Sequence, residues 1–93
     1  MSAEDASLLK AYMRDVVTDG TGRALNTDAY TAYGKTGTAE YNAAGDSHAW
    51  FIGFANQPGK EDIAIAVIME SAGSGSSFAA PAAKMVFDSY YFK

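Results

Sequence analysis

Apolar residues fall at helical spacing early in the chain and at strand spacing through its middle. Leu9, Tyr12, Met13, Val16 and Val17 stand at i, i+3, i+4, i+7 and i+8, which predicts a helix with one apolar stripe. Ser2, with Asp5 three residues on, forms a capping box at its start. Asp19-Gly20 closes it, with Gly20 as the expected left-handed C-cap, and Thr21-Gly22 continues the turn.

Three strands follow. The first runs from Thr31 to Glu40 and holds most of the stretch AYGKTGTAEY. NAAGDS, residues 42–47, reads as a turn. The second strand is His48 to Ala55, with Trp50, Ile52 and Phe54 on one face and Phe51 on the other. NQPGKE, residues 56–61, is a turn with Pro58-Gly59 at its tip. The third strand, Asp62 to Glu70, carries Ile63, Ile65, Val67 and Met69 on one face and Ala64, Ala66 and Ile68 on the other. Both faces are apolar, so this strand is expected to be covered on both sides, with a helix close against the alanines. SAGSGSS, residues 71–77, is a flexible loop by composition. A last helix spans Ala79 to Tyr90 and tolerates Pro81 because it sits in the first turn. Short turns between strands favour an antiparallel meander, so the expected class is α+β: helix, three-stranded meander, helix, with the helices on opposite faces.

Ninety-three residues make one domain at most, with a thin core and an expected stability of about 3–5 kcal/mol. The net charge of −4 and the lack of a basic cluster argue against nucleic acid as a partner. Cysteine is absent and histidine occurs once, which leaves no thiolate or histidine metal site and no cofactor to expect. No apolar run is long enough to span a bilayer, and no signal peptide is visible.

Candidate chemistry narrows to one stretch. Gly34-Lys35-Thr36 lacks the glycine five residues earlier that a phosphate loop needs, since residue 29 is Ala29. Ser7-Leu8-Leu9-Lys10 matches an S-x-x-K pattern, but Ser7 lies nearly opposite the apolar stripe, where nothing activates it. His48 has no carboxylate partner in the sequence and gets no catalytic role. Trp50, Phe51 and Phe54 read as core. Lys35-Thr36-Gly37-Thr38 remains. Hydroxyls flank a glycine there, so a ligand backbone can lie flat on the strand, and the lysine supplies charge for a carboxylate or an oxyanion.

YGKTGTAEY, then HAWFIGFA, then DIAIAVIMESAGSGSSFAAPAAKMVFDSYY resembles the C-terminal end of the penicillin-binding transpeptidase domain, closest to its class B members. LLKAYMRDVVTDGTGRA resembles the helix and Gly-Thr-Gly turn that precede the K-T-G strand there. The resemblance covers nearly the whole chain and makes residues 1–93 a C-terminal portion of that five-stranded fold. It implies that Lys35 lines the cleft and supports proton transfer, and that Thr36 and Thr38 bind the substrate or β-lactam carboxylate. It implies further that the Thr38 N–H is half of an oxyanion hole and that Gly37 keeps room for the acyl group.

The family also requires an S-x-x-K nucleophile and an S-x-N or Y-x-N motif upstream of K-T-G, and neither stands at such a position here. The expectation is a soluble piece of a membrane-anchored, extracytoplasmic serine D,D-transpeptidase that cross-links peptidoglycan stem peptides and binds β-lactams. Its partner would be the missing N-terminal part of the same domain. A β-lactam sensor or serine β-lactamase is the alternative within the superfamily; a non-catalytic binding or structural module is the alternative outside catalysis.

Overall fold

The computed structural model describes residues 1–40, 47–70 and 78–92. Helix α1 (Ala3–Asp19) leads through a 3-10 turn (Arg23–Leu25) into strand β1 (Thr31–Glu40). Strands β2 (Ser47–Asn56) and β3 (Ile63–Met69) follow, then helix α2 (Ala80–Tyr91). The sheet order is β1-β2-β3. Both pairings are antiparallel, with Lys35 opposite Ile52 and Phe51 opposite both Thr36 and Val67. This is the helix–meander–helix order expected from the hydrophobic pattern. The predicted turn over residues 42–47 falls largely, and the predicted loop over 71–77 wholly, outside the described residues.

At the start of α1 the Ser2 hydroxyl accepts the Asp5 N–H at 3.0 Å, the first half of a capping box. Its end differs from expectation. Gly20 has φ −118° and ψ −150°, so no left-handed cap forms. Instead the N–H groups of Gly20 and Gly22 both donate to the Val16 carbonyl, at 3.1 and 2.9 Å. A Cβ on Gly20 would sit 3.1 Å from that oxygen, so the glycine serves close approach rather than a special φ. Between β2 and β3, Lys60 N–H donates to the Gln57 carbonyl at 3.1 Å and Gly59 has φ 81°. Pro58-Gly59 thus forms the tip of a type II turn, which needs positive φ at its third residue.

One face of the sheet carries the core. Ala32, Ala49, Phe51 and Ala55 pack with Val17, Leu25, Tyr30 and, from α2, Ala83, Phe87 and Tyr91. The Phe51 ring lies over the paired glycines Gly34 and Gly53, where any Cβ would strike it. Polar ties fix α2: Tyr91 donates its hydroxyl to the Ala55 carbonyl at 2.7 Å, and Tyr30 donates to Asp88 at 2.7 Å. Burial, then the Asp88 carboxylate, pushes the Tyr30 phenol well above its usual range.

The opposite face holds α1. Its Leu9, Tyr12, Met13 and Val16 line a cavity of about 380 Å³ with Lys35 and Ile52. Lys10 stands 5.0 Å from the centre of the Tyr33 ring, and that ring stacks on Phe54 at 4.5 Å. Two expectations fail here. Ala64, Ala66 and Ile68 are exposed, Ile68 to 70%, so no helix covers the alanines. A helix is about 10 Å wide and strands lie about 4.8 Å apart, so one placed over β1 does not reach β3. Of the three aromatics read as core, only Phe51 is buried; Trp50 and Phe54 are half-buried on the α1 side.

Candidate functional site

β1 has β2 on one side only, and its outer edge is the feature of interest. Along an antiparallel strand, successive residues turn their backbone groups to opposite edges. The Tyr33 carbonyl points at β2, since it lies 2.2 Å from where a Gly53 Cβ would be. The neighbouring Ala32 carbonyl points outward and accepts Arg14 Nη1 at 2.8 Å. The Thr36 carbonyl also points outward and accepts Lys35 Nζ at 2.7 Å. By the same alternation, Thr38 turns its N–H to this outer edge.

The side chains divide between the faces. Thr36, on the core side opposite Phe51, is only 4% exposed, and its hydroxyl is hydrogen-bonded to the Thr21 hydroxyl. Thr38 is on the same face and exposed. Lys35 is exposed on the α1 face, and its ammonium folds back round the edge to the Thr36 carbonyl. The lysine and the hydroxyls therefore meet at the edge of the strand rather than on one face of it. A Cβ on Gly37 would lie 2.0 Å from the Trp50 indole, so the glycine lets that ring lie against the strand.

Ser7 is exposed on α1, three residues before Lys10, whose ammonium lies over Tyr33. Among the described residues no group of three or more His, Cys, Asp or Glu is arranged to hold a metal ion. Sequence reasoning missed Thr21 and Arg14. The signal for Thr21 was present as a hydroxyl between two glycines, but Gly20-Thr21-Gly22 reads as a turn until the strand it touches is known.

Residues 1–88 match the model of the penicillin-binding protein transpeptidase domain. The chain belongs to this family. Among curated members of the transpeptidase family it is 43% identical to the peptidoglycan D,D-transpeptidase MrdA of Acinetobacter baumannii, across 91% of the chain and 14% of that protein. It is 41% identical to MrdA of Haemophilus influenzae, across 77% of the chain and 13% of that protein. The chain thus spans about a seventh of the length of these relatives. Among solved structures, Pseudomonas aeruginosa PBP2 in complex with WCK 5153 superposes with a TM-score of 0.75 at 38% identity, across 90% of the chain and 18% of PBP2. The D,D-transpeptidase domain of a peptidoglycan glycosyltransferase from Eggerthella lenta gives 0.80 at 27% identity, across 97% and 20%. The helix–meander–helix arrangement is accordingly part of the penicillin-binding transpeptidase fold.

Proposed function

We propose that this chain is the C-terminal portion of a serine D,D-transpeptidase domain and supplies the K-T-G wall of its active site. The parent enzyme cross-links peptidoglycan stem peptides and is acylated by β-lactams. The nucleophile comes from the N-terminal part of the domain, outside these residues. The parent is anchored in the membrane with this domain on the extracytoplasmic side, and this portion is soluble. No helix among the described residues is long and apolar enough to cross a membrane.

The observation that carries the reading is the outward alternation of the β1 edge. It supports an oxyanion-hole donor at the Thr38 N–H, worth about 2.7–4 kcal/mol to a transition state. The Thr36 and Thr38 hydroxyls serve the ligand carboxylate. Lys35, held at the same edge by a hydrogen bond to a neighbouring carbonyl, supplies charge and supports proton transfer at the nucleophile.

The test is Lys35→Ala in the full transpeptidase. Lys35 is exposed, so its truncation leaves the core intact. Acylation by benzylpenicillin, followed by intact-mass spectrometry, is expected to slow by orders of magnitude. Lys35→Arg is expected to restore only part of the rate, because a guanidinium differs in shape and stays protonated. An acylation rate near wild type in the alanine variant refutes the role.

A further inference from the structure

Trp50 stands directly across the ladder from Gly37. A Cβ on Gly37 would fall on Cε2, Cζ2 and Nε1 of its ring, so the half-buried indole occupies the place where any other residue would carry its side chain. By the alternation of the strand, Gly37 turns its carbonyl to β2 and Thr38 turns its N–H to the open edge. One rigid peptide plane joins the two, so rotation about the Gly37 bonds swings the Thr38 N–H. Glycine limits that rotation less than any other residue. β1 has a neighbour on one side only, so within the sheet the ladder restrains this peptide from β2 alone. On the core face Thr36 is locked, being buried and hydrogen-bonded to Thr21, while Thr38 is exposed. On the α1 face the group packed against Gly37 is the Trp50 indole.

We infer that Trp50 is a positioning residue for the reaction. Its indole, wedged against Gly37 from the face opposite the Thr36 and Thr38 hydroxyls, holds the Gly37–Thr38 peptide so that the Thr38 N–H stays aimed out of the strand edge. The inference rests on the transpeptidase reading above and adds a residue of β2 to it. Trp50 lies on the face away from the hydroxyls and acts through the backbone, not on the ligand. Removing the ring therefore spares ligand binding and weakens stabilisation of the charge that develops on the reacting carbonyl oxygen.

The experiment follows acylation of the full transpeptidase by benzylpenicillin under rapid mixing, which separates Kd from the acylation rate constant. Trp50→Leu is expected to lower the rate constant by at least about tenfold, on the way to the about hundredfold cost of misplacing one group, and to change Kd by less than about threefold. Trp50→Phe keeps a ring against Gly37 and is expected to stay within about fivefold of the wild-type rate constant. A smaller loss in the leucine variant overturns the proposal, as does a loss carried by Kd alone, or a phenylalanine variant no faster than leucine. A second measurement needs no variant and uses this chain itself, by nuclear magnetic resonance. The indole ring current is expected to shift the Gly37 Hα resonances upfield, and the Thr38 amide is expected to show an order parameter of about 0.85, that of rigid backbone, although its strand edge is open. Unshifted Gly37 resonances, or an order parameter below about 0.6 at Thr38, refute the wedge whatever the variants do. A wild-type transpeptidase that penicillin does not acylate refutes instead the transpeptidase reading, and the role of Trp50 with it.

Discussion

Replacing Gly34 by alanine adds one methyl group at the most crowded point of the core face. Its Cβ would lie 2.2 and 2.3 Å from two Phe51 ring carbons and 2.8 Å from the Ile52 carbonyl oxygen. Carbon atoms pack at about 3.5–4.0 Å, so the ring would have to retreat by about 1.5 Å. Phe51 has no surface to retreat to, being fully buried among Ala83 and Phe87 of α2. Overpacking of this kind costs about 1–3 kcal/mol, and outright expulsion of the ring approaches the about 3–5 kcal/mol of a Phe→Ala truncation. Against a stability of about 3–5 kcal/mol, Gly34→Ala is expected to leave a large unfolded population at 25 °C. Urea unfolding followed by Trp50 fluorescence and far-UV dichroism reads it. Once Phe51→Ala has removed the ring, Gly34→Ala is expected to cost less than it does with the ring present, the remainder coming from the 2.8 Å approach to the Ile52 carbonyl oxygen. A single variant within about 0.5 kcal/mol of wild type, or costs that simply add in the double variant, would contradict the clash.

Stability is expected to fall at both ends of the pH scale. The Lys84 ammonium, then the Tyr30 hydroxyl, hold the Asp88 carboxyl below its usual range, so the unfolded chain binds the proton first and this contribution drops out as pH falls below about 4. It is small, about 0.3–0.5 kcal/mol for an i,i+4 pair, and urea titrations of Asp88→Asn are expected to lose that acid dependence. Tyr30 and Tyr91 are pushed up, chiefly by burial, so their contribution is whole below about pH 10 and lost above it; Tyr30→Phe is expected to flatten the alkaline limb. Incubated alone with benzylpenicillin, the chain is expected to show no covalent adduct by intact mass, because Ser7 is exposed and unactivated; a stoichiometric adduct on Ser7 contradicts that. Amide exchange is expected to be slowest in β2, which is paired on both sides, and faster across Ile63–Met69; equal protection of β3 in a monomer by sedimentation contradicts the strand order.

The elements were legible because each has an unambiguous period. The stripe from Leu9 to Val17 and the alternation from Ile63 to Met69 each exclude the other secondary structure, and Pro58-Gly59 dictates its turn. The cover of β3 was not legible. An apolar pattern shows what can be buried, while what is buried depends on where a helix of fixed width is placed, and α1 is placed over β1 by Arg14 on the Ala32 carbonyl and by Tyr33. At the site, the K-T-G wording singled out Lys35, Thr36 and Thr38, yet the division of their side chains between two faces follows from strand alternation together with register. The Gly37–Trp50 contact and the Thr21–Thr36 pair are long-range, and a single sequence carries no signal for which glycine receives which ring.

The ties that fasten α2 span long stretches of chain: Tyr30 to Asp88 is 58 residues and Ala55 to Tyr91 is 36. The meander closes instead between neighbouring strands, whose loops are far cheaper to close. The sheet can therefore form before its core face has a lid, and Phe51 with Ile63 and Ile65 stands open to water until α2 docks, the interval in which the chain is most prone to associate.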